Sequence, residues 1–297
     1  MRLRLGGLFL KTVENPLESY ATSTSEVLEM LKDLFPTCQL NMALAWPSPK
    51  RSSGRFYAYV YDEITCRLLT YVKFANREKD IRELESEIAA LEKIQALKDL
   101  PFSVARVLHK SRIGQLLFAA FELLPLRADR IDWNVESWSR DLKHLHDAFA
   151  KGTERHIETE QARQLSWVQD FLKRAELNDR EILERSLDVG ADVCATHGDM
   201  ALHNFKRKDG RWWVFDWETY TPTGPELVDE LTVFVCSRYF IEKWPLVRVL
   251  RALEDQYPLS DPKAVRKVVQ ASSFIWTYKL SFADELLSIM RHYGERL

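Results

Sequence analysis

Up to Pro125 the apolar residues of this chain fall in strand-like runs, and beyond it they recur every three or four positions, so a sheet-rich region must precede a helical one. The runs Leu40 to Trp46, Phe56 to Tyr61 and Leu68 to Ala75 are rich in aromatic and branched residues and are separated by turn-forming clusters, which predicts a three-strand meander. Ile81, Leu84, Ile88, Leu91 and Ile94 then follow at helical spacing and predict an amphipathic helix from Asn76 to Lys98. Val104 to Leu108 and Leu116 to Glu122 supply two more strands. Past Pro125, Trp138, Leu142, Leu145 and Phe149 form one apolar stripe and Leu165, Val168, Phe171 and Leu172 another. Further helices are expected over 226–241, 246–255 and 262–292, with Pro222, Pro225, Pro245 and Pro262 at turns or first helical positions. The order predicts an α+β fold of two lobes. Residues 1–124 would form a small antiparallel-sheet lobe with one helix and an amino-terminal extension. Residues 125–297 would form a larger, mostly helical lobe, and ligands favour the cleft between two such bodies.

Strand signals return in the helical half only around Val193 to Thr196 and Trp212 to Phe215. They predict a small hairpin holding the polar stretch His197-Gly198-Asp199-Met200-Ala201-Leu202-His203-Asn204. Asp199 stands where an apolar strand gives way to a loop, Asn204 follows five residues later, and Asp216 ends the second strand run. A carboxylate beside a hydroxyl can accept its hydrogen bond and orient it, while an amide oxygen and a second carboxylate are the hard donors that suit magnesium. Phosphoryl transfer asks for these parts, because it proceeds by positioning and charge neutralisation with little covalent work from the protein. Each residue type alone is common in turns. The three types at this spacing, framed by strand patterns, carry the reading.

Composition narrows the partners. The chain has 297 residues, 46% hydrophobic, with a formal charge of -2 and 29% charged residues, so it has the apolar content for a large core and no basic field for nucleic acid. Cys38, Cys66, Cys194 and Cys236 lie far apart without a C-x-x-C pair, which disfavours a zinc ribbon or redox motif and fits reduced, cytoplasmic thiols. The opening Met1 to Leu10 is basic and apolar, but its apolar run is short, Lys11 and Glu14 follow, and no small-residue cleavage site is present. It reads as a core strand or helix start. No stretch reaches about eighteen uninterrupted apolar residues, so no membrane partner is expected. A small ligand is expected, and the oligomeric state stays open.

The segment H-G-D-x-x-x-x-N followed by D-W-E resembles the aminoglycoside phosphotransferase and choline kinase-like branch of the protein kinase-like fold. The resemblance covers about residues 39 to 235. It implies a magnesium-dependent phosphotransferase that moves the terminal phosphate of ATP or GTP to a hydroxyl of a small molecule: a sugar, an amino alcohol, a nucleoside or an aminoglycoside-like compound. By it Asp199 is the catalytic aspartate, Asn204 and Asp216 are the magnesium ligands, and His197 braces the loop. Lys73 in Tyr71-Val72-Lys73-Phe74 and Glu87 on the amphipathic helix resemble the family's lysine and glutamate pair, the lysine meeting the α and β phosphates. Glu83 shares that helix flank and is a rival partner, whereas Glu85 points away from the apolar stripe. Backbone groups near Glu122 and Leu123 would meet the adenine. Thr223-Gly224-Pro225 resembles the family's turn into a helix whose aspartate, here Asp229, ties the helix to the catalytic loop; an ordinary acidic residue near a helix start would look the same.

Several features depart from protein kinases. The loop Pro47 to Gly54 holds one glycine where those enzymes carry G-x-G-x-x-G; the resemblance to the small-molecule branch, also glycine-poor here, implies serine donors, with Lys50 or Arg51 either adding charge or standing as plain surface residues. Asp216-Trp217-Glu218 replaces D-F-G and no A-P-E follows, which argues against a regulated activation segment and hence against a protein kinase. Glu218 stands either near a second metal or on the surface. His144 and His146 are two apart on a helix and face different directions, so packing or surface is expected of them. Trp212 and Trp213 read as core and strand surface. Residues 242–297 carry nine Lys or Arg against seven Asp or Glu, which does not favour a polycationic acceptor. The alternative reading is a kinase-like scaffold that binds nucleotide without turnover.

Overall fold

The computed structural model describes residues 24–45, 55–125, 135–278 and 283–297. The opening Met1 to Leu10, the expected phosphate loop Pro47 to Gly54, Trp46 and the side chain of Trp138 lie outside the described residues. The chain divides into two compact units, one holding the residues up to Leu84 with Arg106–Leu123, the other Glu85–Ala105 with Leu124–Leu297.

In chain order the first elements are α1 (Thr24–Leu31), β1 (Leu40–Ala45), β2 (Arg55–Asp62), β3 (Leu68–Ala75), α2 (Glu78–Gln95), β4 (Phe102–Ser103), β5 (Val107–Ile113) and β6 (Leu116–Phe121). The meander expected from the sequence is present, and β6 and β5 extend it to an antiparallel sheet in the order β1-β2-β3-β6-β5. Alternation along β2 buries Phe56, Ala58 and Val60 on one face, where Val72 and Phe74 of β3 and Phe118 and Ala120 of β6 join them. Phe56 and Phe74 stack at 4.4 Å between ring centroids. Val27 and Leu31 of α1 complete this cluster. That helix is absent from the sequence reading, although Val27, Met30, Leu31 and Leu34 recur at helical spacing. Asp62 closes the β2–β3 connection by accepting hydrogen bonds from Gln39 N at 3.1 Å and Thr65 Oγ1 at 2.5 Å. Arg55, at the start of β2, pairs with Asp80 at 3.4 Å and with Glu83, anchoring the first turns of α2. Farther along α2, Leu84, Ile88, Leu91 and Ile94 are buried and Glu85 is exposed, as the helical wheel predicts.

The second unit continues with α3 (Val135–Ala150), β7 (Arg155–Ile157), α4 (Thr159–Arg163), α5 (Ser166–Arg174), α6 (Leu177–Ser186), β8 (Ala191–Thr196), β9 (Phe205–Lys208), β10 (Arg211–Val214), β11 (Thr221–Pro225), α7 (Val228–Val235), α8 (Leu246–Gln256), α9 (Pro262–Tyr278) and α10 (Ala283–Gly294). Its core gathers around α9, whose Val265, Val268, Phe274 and Ile275 meet Trp167 and Phe171 of α5, Leu231 of α7 and Tyr293 of α10. The one helix expected over 262–292 is therefore two, with 279–282 outside the described residues. Among the described residues no helix is long and apolar enough to cross a membrane.

The small hairpin expected around the polar stretch is a different structure. β8 and β10 do not pair with each other. β8 is the centre of a sheet β11-β8-β7, and β10 is the centre of a second sheet β4-β10-β9. The local hairpin is β9–β10, turned at Asp209 and Gly210, both with positive φ. Thr223-Gly224-Pro225, expected as a turn, lies in β11 and pairs with β8, Gly224 opposite Cys194. A Cβ on Gly224 would meet Thr196 Oγ1 at 2.3 Å, so only glycine allows the strands to come this close. β4 runs parallel to β10, with Phe102 opposite Trp212, and through it residues 85–105 group with the second unit.

Candidate active site

His197 to Asn204 leaves the end of β8, crosses to β9, and is folded on itself by hydrogen bonds. Asp199 N donates to His197 Nδ1 at 3.2 Å, and Asp199 O accepts from Ala201 N at 2.7 Å and from the Asn204 side-chain amide at 2.9 Å. Since a backbone N–H can only donate, His197 Nδ1 must accept, and the ring proton lies on Nε2, which donates to Phe215 O at 3.1 Å. His197 is thus a neutral, fully buried brace joining the loop to the segment that carries Asp216. Gly198 has φ +80, and a Cβ there would meet Thr219 O at 2.6 Å. The glycine of H-G-D is needed both for the left-handed turn and for this approach.

Asp216 follows β10 in a left-handed conformation, φ 67 and ψ 58, which aspartate tolerates better than most side chains. Phe215 N donates to Asn204 O at 3.1 Å, so the loop and the end of β10 are joined on both sides of Asn204. Trp217 is fully buried and acts as the peg of this region. It stacks on Phe102 of β4 at 6.2 Å, meets Phe149 of α3 edge-on at 5.3 Å, lies 4.4 Å from His197, and donates from Nε1 to Val214 O at 3.2 Å. These bonds tie Asp199 to Asn204, and Asn204 to Phe215, the residue before Asp216. Asp199 and Asn204 are buried and Asp216 is half-buried.

Behind the loop stands Asp229 of α7, wholly buried. It accepts from His197 N at 2.8 Å, Gly198 N at 2.9 Å and His146 Nδ1 of α3 at 2.9 Å. The tie between helix and loop expected of Asp229 is therefore present, and His146, expected only to pack, is its third donor. Burial alone would push the Asp229 carboxyl up, but the hydrogen bond and charge of His146 hold it below its ordinary value. Burial likewise works against a charged His146, and the bond to Asp229 outweighs it, raising the imidazole above its ordinary value. Nothing in the local sequence signals this pair, because its partners are 83 residues apart. Cys194 Sγ lies 3.8 Å from His146 Nε2.

The remaining expected residues sit as follows. Lys73, in the first unit, is half-buried on β3 opposite Tyr57 and Ala119, its Nζ 5.7 Å from the Phe121 ring centre. Glu87, in the second unit, is only 2% exposed, a rare state for a glutamate without a specific role. Glu83 is engaged by Arg55 and by Lys79 at 3.7 Å. Glu122 N donates to Arg106 O at 2.8 Å, so its carbonyl, not its N–H, is the group that could serve a base. Leu123 and Glu218 are half-buried.

The sequence profile of the phosphotransferase enzyme family matches residues 59–266. No curated protein matches the chain by sequence. Among solved structures it is similar to a protein assigned as a fructosamine-3-kinase from Haemophilus somnus 129PT, at 13% identity and a TM-score of 0.53 over 90% of this chain and 96% of that one. A second such protein, from Thermobifida fusca, matches at 15% identity and a TM-score of 0.53 over 93% and 100%. The GDP and kanamycin complex of APH(2")-IIIa matches at 11% identity and a TM-score of 0.50 over 92% and 98%. At such identity these likenesses concern the fold. With the profile they place the chain: it belongs to the phosphotransferase enzyme family, as a small-molecule kinase of the protein kinase-like fold.

Proposed function

We propose that this chain transfers the terminal phosphoryl group of ATP or GTP to a hydroxyl of a small molecule, with magnesium, and that Asp199 is its catalytic residue. The observation that supports this most is that the Asn204 side-chain amide is bonded to Asp199 O while Phe215, the residue before Asp216, is bonded to Asn204 O. In this reading the Asp199 carboxylate accepts the hydrogen bond of the acceptor hydroxyl and aims its oxygen at the terminal phosphorus. The new O–P bond forms as the bridging O–P bond of the nucleotide breaks, and the hydroxyl proton leaves toward Asp199.

The donor set suits magnesium. The Asn204 amide nitrogen is occupied by Asp199 O, which directs its oxygen end elsewhere as a ligand, and Asp216 adds a carboxylate. Among the described residues no three His, Cys, Asp or Glu side chains gather to cage an ion by themselves. Magnesium is commonly held in that way, by one or two protein oxygens with phosphates and water completing its shell. Bound there, it would neutralise charge on the nucleotide phosphates. Lys73 would contact the α and β phosphates, and Glu83 is already engaged by Arg55. The Glu122 carbonyl and the backbone of Leu123 would meet the base. The first unit is thus assigned to the nucleotide and the second to catalysis and acceptor. The four cysteines are all free, which fits the reducing cytoplasm.

Purified protein with terminally labelled ATP or GTP, offered sugars, amino alcohols, nucleosides, aminoglycosides and generic protein, tests the proposal. Transfer to a small molecule that stops on chelation of magnesium is the expected result. Transfer to protein alone, or nucleotide binding with no transfer to any acceptor, would overturn it. Calorimetry on Asp216→Ala should show loss of magnesium-dependent nucleotide binding, and undiminished binding would remove Asp216 from the metal.

A further inference from the structure

A cavity of about 270 Å³ opens within the second unit, lined by Met200 and Asp229 but by none of Asp199, Asn204 or Asp216. It touches the catalytic loop at the residue after the catalytic aspartate, yet it is separate from the atoms that would do the chemistry. Its inner wall is apolar and buried: Leu142 and Ala150 from α3, Cys194 from β8, Met200, Leu227, and Val233 from α7. Charged groups stand around its mouth.

Four carboxylates at that mouth, Asp147, Glu154, Glu226 and Glu230, face two ammonium groups, Lys143 and Lys267. Lys143 pairs with Asp147 at 3.1 Å and Lys267 with Glu226 at 2.5 Å. Deeper in, His146 balances Asp229. Two negative charges are therefore in excess, on Glu154 and on Glu230. Glu230 is held toward the cavity by hydrogen bonds from Tyr257 Oη and Gln256 Nε2, both at 2.7 Å. The same field is felt by the lining groups. Burial first, then the charges of Asp229, Glu226 and Glu154, push the Cys194 thiol up, and burial with the Glu230 charge does the same to the Tyr257 hydroxyl.

An apolar wall under a net negative mouth favours a ligand with an apolar body and a single positive charge. The volume lies just below the ~300–1,000 Å³ typical of sites for drug-sized ligands, so the body is about the size of one ring. We propose that this cavity binds a small organic amine, its apolar body seated against Leu142, Met200 and Val233 and its ammonium at Glu154 and Glu230. The proposal stands apart from the phosphoryl-transfer reading, since it needs neither nucleotide nor metal.

The test is calorimetric titration of the full chain with phenethylamine, 2-phenylethanol and 3-phenylpropionate, which share a ring and differ in charge. Saturable binding of the amine is expected at a Kd near or below about 1 mM, at least ~10-fold tighter than the alcohol, with no binding of the acid. Glu154→Gln combined with Glu230→Gln should weaken the amine at least ~10-fold and leave the alcohol unaffected. Ala150→Leu, which fills the inner wall, should abolish both. The proposal is overturned if the amine does not saturate, if amine and acid bind alike, or if the charge variant retains full affinity. Should Ala150→Leu fail to fold, the exposed single change Glu154→Gln decides: unchanged affinity for the amine overturns the proposal, and a loss of several-fold supports it.

Discussion

The two sides of the loop hold their carboxylates in opposite ways. At the rear, Asp229 is sealed from solvent and takes three donors on its own oxygens, two from the loop main chain and one from His146. At the front, Asp199 is positioned through its backbone, its N–H bonded to His197 and its carbonyl to Ala201 and Asn204. A carboxylate that carries the fold is saturated by it. The one assigned to chemistry is held by bonds of its backbone.

The contrast predicts that substitutions at the front cost turnover and those at the rear cost stability. Asp199→Ala should lower kcat by about two to four orders of magnitude, with the urea midpoint and magnesium-nucleotide affinity nearly unchanged. A large loss of stability with intact turnover would reverse the comparison. Asp229→Asn leaves His146 without its anionic partner in a buried place and should cost about 3–5 kcal/mol in denaturant unfolding. A shift within experimental error would mean that the loop stands without its rear anchor. Gly198→Ala, with its positive φ and its contact to Thr219 O, should cost about 1–3 kcal/mol and depress activity as well, because it lies on the boundary between the two sides.

The smallest effect concerns acidity. His146 is raised above its ordinary value of 6.5, so its contribution to stability is complete below that pH and is lost as pH rises through the folded value. Asp229 is lowered from 3.8, so its contribution is present above that pH and is lost as pH falls through its folded value. The melting temperature of the wild type should therefore decline from about pH 6.5 upward, and His146→Gln should flatten that decline. An equal slope in both proteins would assign the pH dependence to other groups.

What could be read from the sequence was what local pattern dictates. The stripe Leu84, Ile88, Leu91 and Ile94 declares α2, and the branched and aromatic runs declare β1 to β3, because period alone separates helix from strand. The set proposed for the chemistry, Asp199, Asn204 and Asp216, is read from three residue types at fixed spacing, which are informative together. The split of β8 and β10 into separate sheets is not legible. Their partners include β4, more than a hundred residues before β10, and the run at Thr221–Pro225, whose Gly and Pro look like a turn. Nor is the peg role of Trp217, which exists only through Phe102 and Phe149 from elsewhere in the chain. The engagement of Glu83 by Arg55, 28 residues away, is likewise silent in any helical wheel.

The left-handed backbone at position 216 places two unrelated demands on one residue. In the proposed reading it offers an oxygen to a cation, and it also accepts a positive φ that disfavours β-branched side chains. Glycine meets only the second, while aspartate and asparagine, the oxygen-bearing residues most enriched in that conformation, meet both. A library randomised at this codon and selected for phosphoryl transfer should therefore be enriched in aspartate and asparagine.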